Sequence, residues 1–343
     1  MASDGGAAMN APPRAADEEA SFMAANELIN AHILVARLPA TANNNHMADA
    51  EAAVDRMLRF LAGHGVVTCA TEEADGGAAV RRYMPAPVCR WLSSKNGEGT
   101  LGPLALFGFD KDMLMPWQHL SEALLEGRVA FERAHGVPAF EHMGKNPQLS
   151  ALYNKAMSQL SALVIDKLLE RFTGFDGVRV LVDVGGGVGT TLGMITSRYK
   201  NIKGINFDLP FVISQAKPIP GVEHVGGSML DYVPAGDAIF TKSVLHLLSD
   251  EDCVKLLKNC HAAVPVDGKV IAMEVVLPAA PEATLAGRFP FVFDMICLIN
   301  GLKGGRERTE RELVGLARRA GFCGAVRSTV IYGGYCALEF TKY

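Results

Sequence analysis

VRVLVDVGGGVGTTLGMITSRYK, residues 178–200, decides the reading of this chain. Its opening, Val178–Val184, is a Val-rich run broken only by Arg179 and Asp183, the pattern of a strand buried on both faces. Gly185, Gly186, Gly187 and Gly189 then form a turn that enters a helix. Glycines turn the chain sharply and let a ligand approach the backbone closely. In an open α/β sheet such a ligand lies outside the carboxyl ends of the strands, at the topological switch point. A tight turn with no ligand is the plainer alternative. The acids at two strand ends, Asp183 and Asp208, weigh against it.

Downstream the pattern alternates. IKGINFD (202–208), VEHVGG (222–227), DAIFTKSV (237–244) and GKVIAMEVV (268–276) read as strands. Ser249–Ala263 reads as a helix capped by Ser249, and Thr309–Ala320 as a helix ended by Gly321. Two short strands, Ala325–Tyr332 and Tyr335–Thr341, join through Gly333-Gly334. Alternation with right-handed crossovers gives an α/β fold with a doubly wound, Rossmann-like sheet, to which the final hairpin adds an antiparallel strand.

Upstream of about residue 175 the chain is mostly helical. Asp17–Val35 and Ala48–Gly63 have helical periodicity, and Val66–Thr71 and Val80–Tyr83 flank EEADGG as a hairpin. Helix then hairpin resembles a winged helix, put here to dimerisation because the wing tip is acidic. Pro147–Phe172 is a long helix with Pro147 in its first turn. The expected division is a disordered start over 1–15, a shortened winged-helix-like dimerisation domain over 16–125 and a catalytic domain over 126–343.

Composition removes several classes. The formal charge is −4 with no dense basic patch, which argues against nucleic acid. No apolar run is long enough to cross a bilayer, and the N-terminus has no signal-peptide pattern. The seven cysteines form no C-x-x-C and no Cys/His cluster in sequence, so no metal is expected. Scattered thiols fit a reducing compartment, and the cytoplasm is the expected location.

The glycine loop discriminates two chemistries. A dinucleotide site wants G-x-G-x-x-G/A, and counted from Gly185 the last position is Thr190. The methyltransferase pattern acid-x-G-x-G-x-G fits from Asp183 to Gly189. Asp208, 25 residues after Asp183, is placed to accept hydrogen bonds from ribose hydroxyls.

LVDVGGGVGT, KGINFDLPFVI, PGVEHVGGSML, FTKSVLHLLSDEDCVKLLKNC, GKVIAMEVVLP and GGRERTERELVGLARRAGF follow one another in the chain. With DEEA (17–20), DRMLRFLA (55–62) and LYNKAMS (152–158) they resemble the plant caffeic acid O-methyltransferase family over nearly the whole length. The resemblance implies a class I methyltransferase domain behind a dimerisation domain. It implies S-adenosylmethionine as cofactor, a small phenolic substrate, and a homodimer or a heterodimer with a related methyltransferase. His246 matches the catalytic base, and Glu274 and Glu307 the two acids that orient it. Gly185, Asp208, Ser228, Met229 and Lys242 fall at cofactor positions; Ala139, Tyr153, Met157 and Ile296 fall on the phenolic wall. Read without the resemblance, His246 is a structural histidine, Glu307 a surface acid favoured by a helix dipole, and Met157 core.

The chain departs from the family at informative places. The family's Asp before the Met of its GGDM-like motif is Ser228, and its His-Asp-Trp is His246-Leu247-Leu248. The phenolic-side Asn and His become Gly108 and Met143 or Leu160, and the segment between DEEA and DRMLR is shorter. Exchanging a charge-assisted hydrogen bond for a neutral one costs about 1.5–3 kcal/mol. Losing an aromatic contact adds about 0.5–1.5 kcal/mol. Together these weaken a cofactor site by roughly two to three factors of ten. Two functions therefore stand side by side: an active phenol O-methyltransferase, and a catalytically inactive homologue that folds and binds a partner subunit.

Overall fold

A computed structural model describes residues 47–73, 79–93, 99–301 and 303–343. The expectations for residues 1–15, for the helix Asp17–Val35 and for the tip of EEADGG lie outside the described residues. Helix α1 (Met47–Gly63) is followed by the hairpin of β1 (Val67–Glu73) and β2 (Ala79–Pro85), as the sequence pattern requires. The Tyr83 hydroxyl donates to Asp55 Oδ1 at 2.7 Å and ties hairpin to helix. Five short helices follow: α2 (Gly102–Gly108), α3 (Lys111–Gln118), α4 (Leu120–Glu126), α5 (Ala130–His135) and α6 (Ala139–Lys145). Helix α7 (Pro147–Arg171) then runs 25 residues, its first turn closed by Asn146, whose side chain accepts from the Leu149 N–H.

The second half is β3 (Val180–Val184), α8 (Thr190–Arg198), β4 (Lys203–Asp208), α9 (Pro210–Ile213), β5 (Val222–Gly226), β6 (Ala238–Lys242), α10 (Asp250–Ala263), β7 (Lys269–Leu277), α11 (Leu285–Asn300), β8 (Arg308–Thr309), α12 (Glu310–Arg319), β9 (Val326–Tyr332) and β10 (Tyr335–Thr341). The strand order is β5-β4-β3-β6-β7-β10-β9. Strands β3 to β7 pair in parallel, while β10 inserts antiparallel between β7 and β9. The order reverses between β3 and β6, which puts the switch point beside the glycine loop.

Side-chain alternation explains why the parallel strands read as unbroken apolar runs. Leu181, Phe240, Ile271 and Met273 pack on one face with Leu160, Val164 and Leu168 of α7 and Leu192 and Ile195 of α8. Val182, Val184, Ile239, Val270 and Ala272 pack on the other with Leu256 and Leu257 of α10 and Leu313 and Leu316 of α12. Both faces are buried, so both must be apolar.

Helix α11 was not foreseen. It carries Pro290 in its interior and apolar residues around its whole circumference, so it has no polar face to reveal a helical period. The expected cap is present, Ser249 accepting from the Asp252 N–H, and Thr309, read from sequence only as a helix start, forms a reciprocal capping box with Glu312. Replacing Thr309 by Ala removes one half of that box and is expected to lower stability by about 1 kcal/mol, read as a shift of the urea midpoint at unchanged m-value.

Candidate active site

The glycine loop leaves β3 with Gly185, Gly187 and Gly189 in the left-handed region, at φ 71°, 60° and 87°. Side chains are excluded there on two grounds. The backbone is one that L-residues rarely adopt, and a Cβ at Gly185 would meet Val244 Cγ2 at 2.6 Å. A Cβ at Gly186 would land on Asn206 Oδ1 and lie 2.8 Å from Asp183 Oδ2. Both oxygens are buried without a hydrogen-bond partner among the described residues. Above Gly187 the space is open.

That space belongs to a cavity of about 400 Å³ at the carboxyl ends of β3, β4 and β6. Gly185, Asp208, Ser228, Met229 and Lys242, the expected cofactor positions, all line it. So do Tyr153 and Met157 of the expected phenolic wall, with Phe140 and Met143 beside them. Ala139 and Ile296 do not line it; Ala139 is buried in a separate cluster with Phe131 and Leu149. The lining also includes Ser158 and Ser161 of α7 and Thr190 of α8, residues that sequence reading did not single out. Ser158 and Thr190 share a 2.8 Å hydrogen bond that fastens α7 to the loop.

Charge is concentrated at the sheet end. Burial pushes the Asp183 carboxyl up to about 7, against the pull of Lys242 and with a push from Asp208. Burial depresses the Lys242 ammonium, while Asp183 and Glu274 draw it back up. Asp208 is raised by burial, with relief from two backbone donors. Its Oδ2 accepts from the Gly187 N–H at 2.8 Å and its Oδ1 from the Leu209 N–H at 2.7 Å. Burial holds the Tyr153 phenol near 12, with the Asp208 charge adding to the rise, so it stays a donor at neutral pH.

His246, Glu274 and Glu307 come together, but behind the cavity wall. His246 lies on the short 3₁₀ turn Leu245–Leu247, and it is Leu247 and Leu248 that line the cavity. His246 Nδ1 is 2.7 Å from Glu307 Oε1 and 4.0 Å from Glu274 Oε2. A carboxylate only accepts, so the ring proton sits on Nδ1 and Nε2 carries the lone pair. Burial alone would depress His246; the charge and hydrogen bond of Glu307 and the charge of Glu274 outweigh it and hold the imidazole above its usual range. Glu274 Oε1 accepts from the Val244 and Leu245 N–H groups at 3.0 and 2.9 Å and so fixes the turn itself. Glu307 is placed by its own N–H, which donates to Asp294 Oδ1 at 3.0 Å.

Arg308, one letter past Glu307, holds the other side of the turn. It is 1% exposed. Its NH1 donates to Leu245 O at 2.7 Å and Arg306 O at 3.3 Å, and its NH2 to Leu248 O at 2.8 Å. Its Nε and NH2 reach Asp250 Oδ1 at 3.0 and 2.8 Å. All five N–H groups of the guanidinium are thereby used.

Glu307→Gln removes a charge and keeps the shape. His246 is expected to titrate at lower pH in that variant, measured by NMR of the imidazole. A raised histidine stabilises fully below its unfolded value of about 6.5, and that contribution is lost as pH rises through the folded value. The stability gap between parent and variant should therefore be widest on the acid side and narrow as the solution turns alkaline.

Comparison with known proteins agrees with this geometry. An O-methyltransferase domain model matches residues 117–323. A caffeate O-methyltransferase-like protein of Oryza sativa subsp. japonica is 57% identical over 297 residues, covering 86% of this chain and 83% of its own. A second rice protein, named a probable inactive methyltransferase, is 51% identical over 311 residues, 90% of this chain and 82% of its own. Human N-acetylserotonin methyltransferase, solved with S-adenosylmethionine, shares the fold at a TM-score of 0.73 and 18% identity, with 97% and 99% of the two chains covered.

Proposed function

This chain belongs to the O-methyltransferase family, and we propose that it methylates a small phenolic hydroxyl with His246 as the base. S-adenosylmethionine is its cofactor, and when bound supplies an electrophilic sulfonium methyl group. The residues present fit that group. Asp183 Oδ2, at the cavity wall beneath the glycine loop, is an orphaned acceptor suited to a cationic ligand. Gly185, Asp208, Ser228, Met229 and Lys242 would hold it, and Tyr153, Met157, Phe140 and Met143 would offer the phenol an apolar wall.

The contact that carries the reading is the 2.7 Å hydrogen bond between Glu307 and His246. It dictates the tautomer whose Nε2 takes a proton, and it stabilises the imidazolium that results, the logic by which a carboxylate serves a histidine base in hydrolases. Glu274 holds the backbone of the turn and adds a second negative charge. The phenolic class follows the relative named for caffeate.

A second reading keeps the fold and drops the chemistry. Leu247 and Leu248 line the cavity where His246 does not, and Ser228 stands where the family has an acid. One experiment separates the two: methyl transfer from labelled S-adenosylmethionine to a panel of catechols and flavonoids, with His246→Ala as control. Turnover lost in His246→Ala supports the enzyme; a folded protein with no turnover on any phenol supports the inactive homologue. Ser228→Asp is expected to tighten S-adenosylhomocysteine binding about ten- to a hundredfold by calorimetry, because it restores a charged acceptor.

We further propose a dimer, with itself or with a related methyltransferase, residing in the cytoplasm. Helices α3 and α4 expose Leu114, Met115, Trp117, Leu124 and Leu125, the last at 90%. Large apolar side chains grouped this way mark a contact surface. Sedimentation equilibrium should give twice the chain mass of 36.7 kDa, and Leu125→Glu should shift the protein toward monomer. A parent protein that sediments as a monomer, and gains no mass with a related methyltransferase, would sink the proposal. No described helix is long and apolar enough to cross a membrane.

A further inference from the structure

We infer that His246, Cys297 and Glu307 form a binding site for a thiophilic divalent cation such as zinc, and that filling it switches off His246 as a base. One imidazole nitrogen of His246, the Cys297 thiol Sγ and a Glu307 carboxylate oxygen all lie within 4.8 Å of one another. Nδ1 is 2.7 Å and Sγ 4.0 Å from Glu307 Oε1. Zinc bonds of about 2.0 Å to nitrogen and oxygen and about 2.3 Å to sulfur put tetrahedral ligand atoms roughly 3.2–3.8 Å apart. Binding needs the nitrogen and oxygen to part by about half an ångström, and the sulfur to close by about half an ångström on the carboxylate and by up to about an ångström on the imidazole.

A second observation points to a cation. Glu307 Oε2 and Glu274 Oε2 are both buried with no hydrogen-bond partner among the described residues. Glu274 Oε2 is 4.0 Å from the same imidazole nitrogen, within reach as a further oxygen donor. Two buried acids with orphaned oxygens are undercompensated, and a dication between them supplies the missing charge. A nitrogen, sulfur and carboxylate set selects zinc or cobalt(II) over magnesium or calcium. The three ligands come from a turn, from α11 and from the residue before β8, so no sequence spacing announces them.

The consequence for the base follows from its two nitrogens. Without the cation, Nδ1–H donates to Glu307 and Nε2 accepts. When the cation binds, the Cys297 thiol gives its proton to solvent and coordinates as thiolate. His246 coordinates through Nδ1, and its remaining proton sits on Nε2. The nitrogen that would take a phenolic proton is then a donor. Coordination releases the thiol proton, so occupancy should fall as the solution is acidified. None of the three ligands lines the main cavity, so cofactor binding should persist.

The test is a titration of the full chain with cobalt chloride near pH 8, with no cofactor or substrate present. A thiolate-to-cobalt absorption band saturating at one equivalent is expected. It should disappear in Cys297→Ser, weaken at least tenfold in apparent affinity in Glu307→Gln, and survive in Cys69→Ser and Cys323→Ser, whose thiols are exposed. Zinc should displace the band and leave a long-range ¹H–¹⁵N spectrum with His246 protonated at Nε2. No band in the parent protein, or a band that survives Cys297→Ser, overturns the inference. Near-ultraviolet circular dichroism of each variant checks that it is folded, and because no turnover is read, an inactive chain leaves the test intact.

Discussion

A buried guanidinium organises this site. Arg308 is withdrawn from water, and such a charge is tolerated only where every donor finds an acceptor. Its acceptors are not interchangeable. Leu245 O and Leu248 O bracket the turn that carries His246, and Asp250 opens helix α10. Satisfying one side chain therefore fixes the path of the chain from the end of β6 to the start of a helix. The same backbone that presents Arg308 presents Glu307 one residue earlier, so His246 and its carboxylate are positioned by one constraint. Breaking such a cluster from one side costs about 3–5 kcal/mol, a large part of a domain's whole stability.

The turn has two sides, and they face different solvents. Leu247 and Leu248 point to the cavity, and His246 points to the acids. Lys242 joins the two compartments electrically: it lines the cavity and feels both Asp183 and Glu274. The sheet end is thus a row of ionisable groups, Asp183 and Glu274 buried, Lys242 and His246 half-buried, with the buried Glu307 behind. Among the described residues, four acid and amide oxygens here have no hydrogen-bond partner, at Asp183, Asn206, Glu274 and Glu307. A fold pays for such orphans only where something else satisfies them, and two of the four lie under the glycine loop.

Much of this was legible because local rules and global fold agree. The glycine loop, the strands with both faces buried and the cap at Ser249 each carry a residue type that only one local structure favours. Helix α11 was illegible because apolar residues all around it, Met295 and Leu298 among them though exposed, leave no amphipathic signature. Arg308 lay unread inside GGRERT, since a basic residue near a helix start looks like surface. Cys297 is 51 residues from His246, and nothing in the sequence tells that α11 brings its thiol to the acids. Among the expected wall residues, Tyr153 and Met157 reach the cavity because α7 lays one face along it, whereas Ala139 is absorbed by the packing of the short helices.

The positions where this chain leaves its family bear differently on fold and function. Leu248 is 4% exposed and packs in the core beside Val254 and Leu257, so an aliphatic there strengthens the same cluster that seats α10. Ser228 needs no partner to keep its loop, because the Gly227 N–H already donates to Asp208 O at 2.9 Å. Neither exchange removes a partner of Arg308, Glu274 or Glu307, because Arg308 holds position 248 through the backbone carbonyl that any residue supplies. Stability and the geometry around the base are therefore insulated from substitutions on the cofactor side. A chain of this design can lose affinity for its cofactor while keeping the shape of the His246–Glu307 cluster.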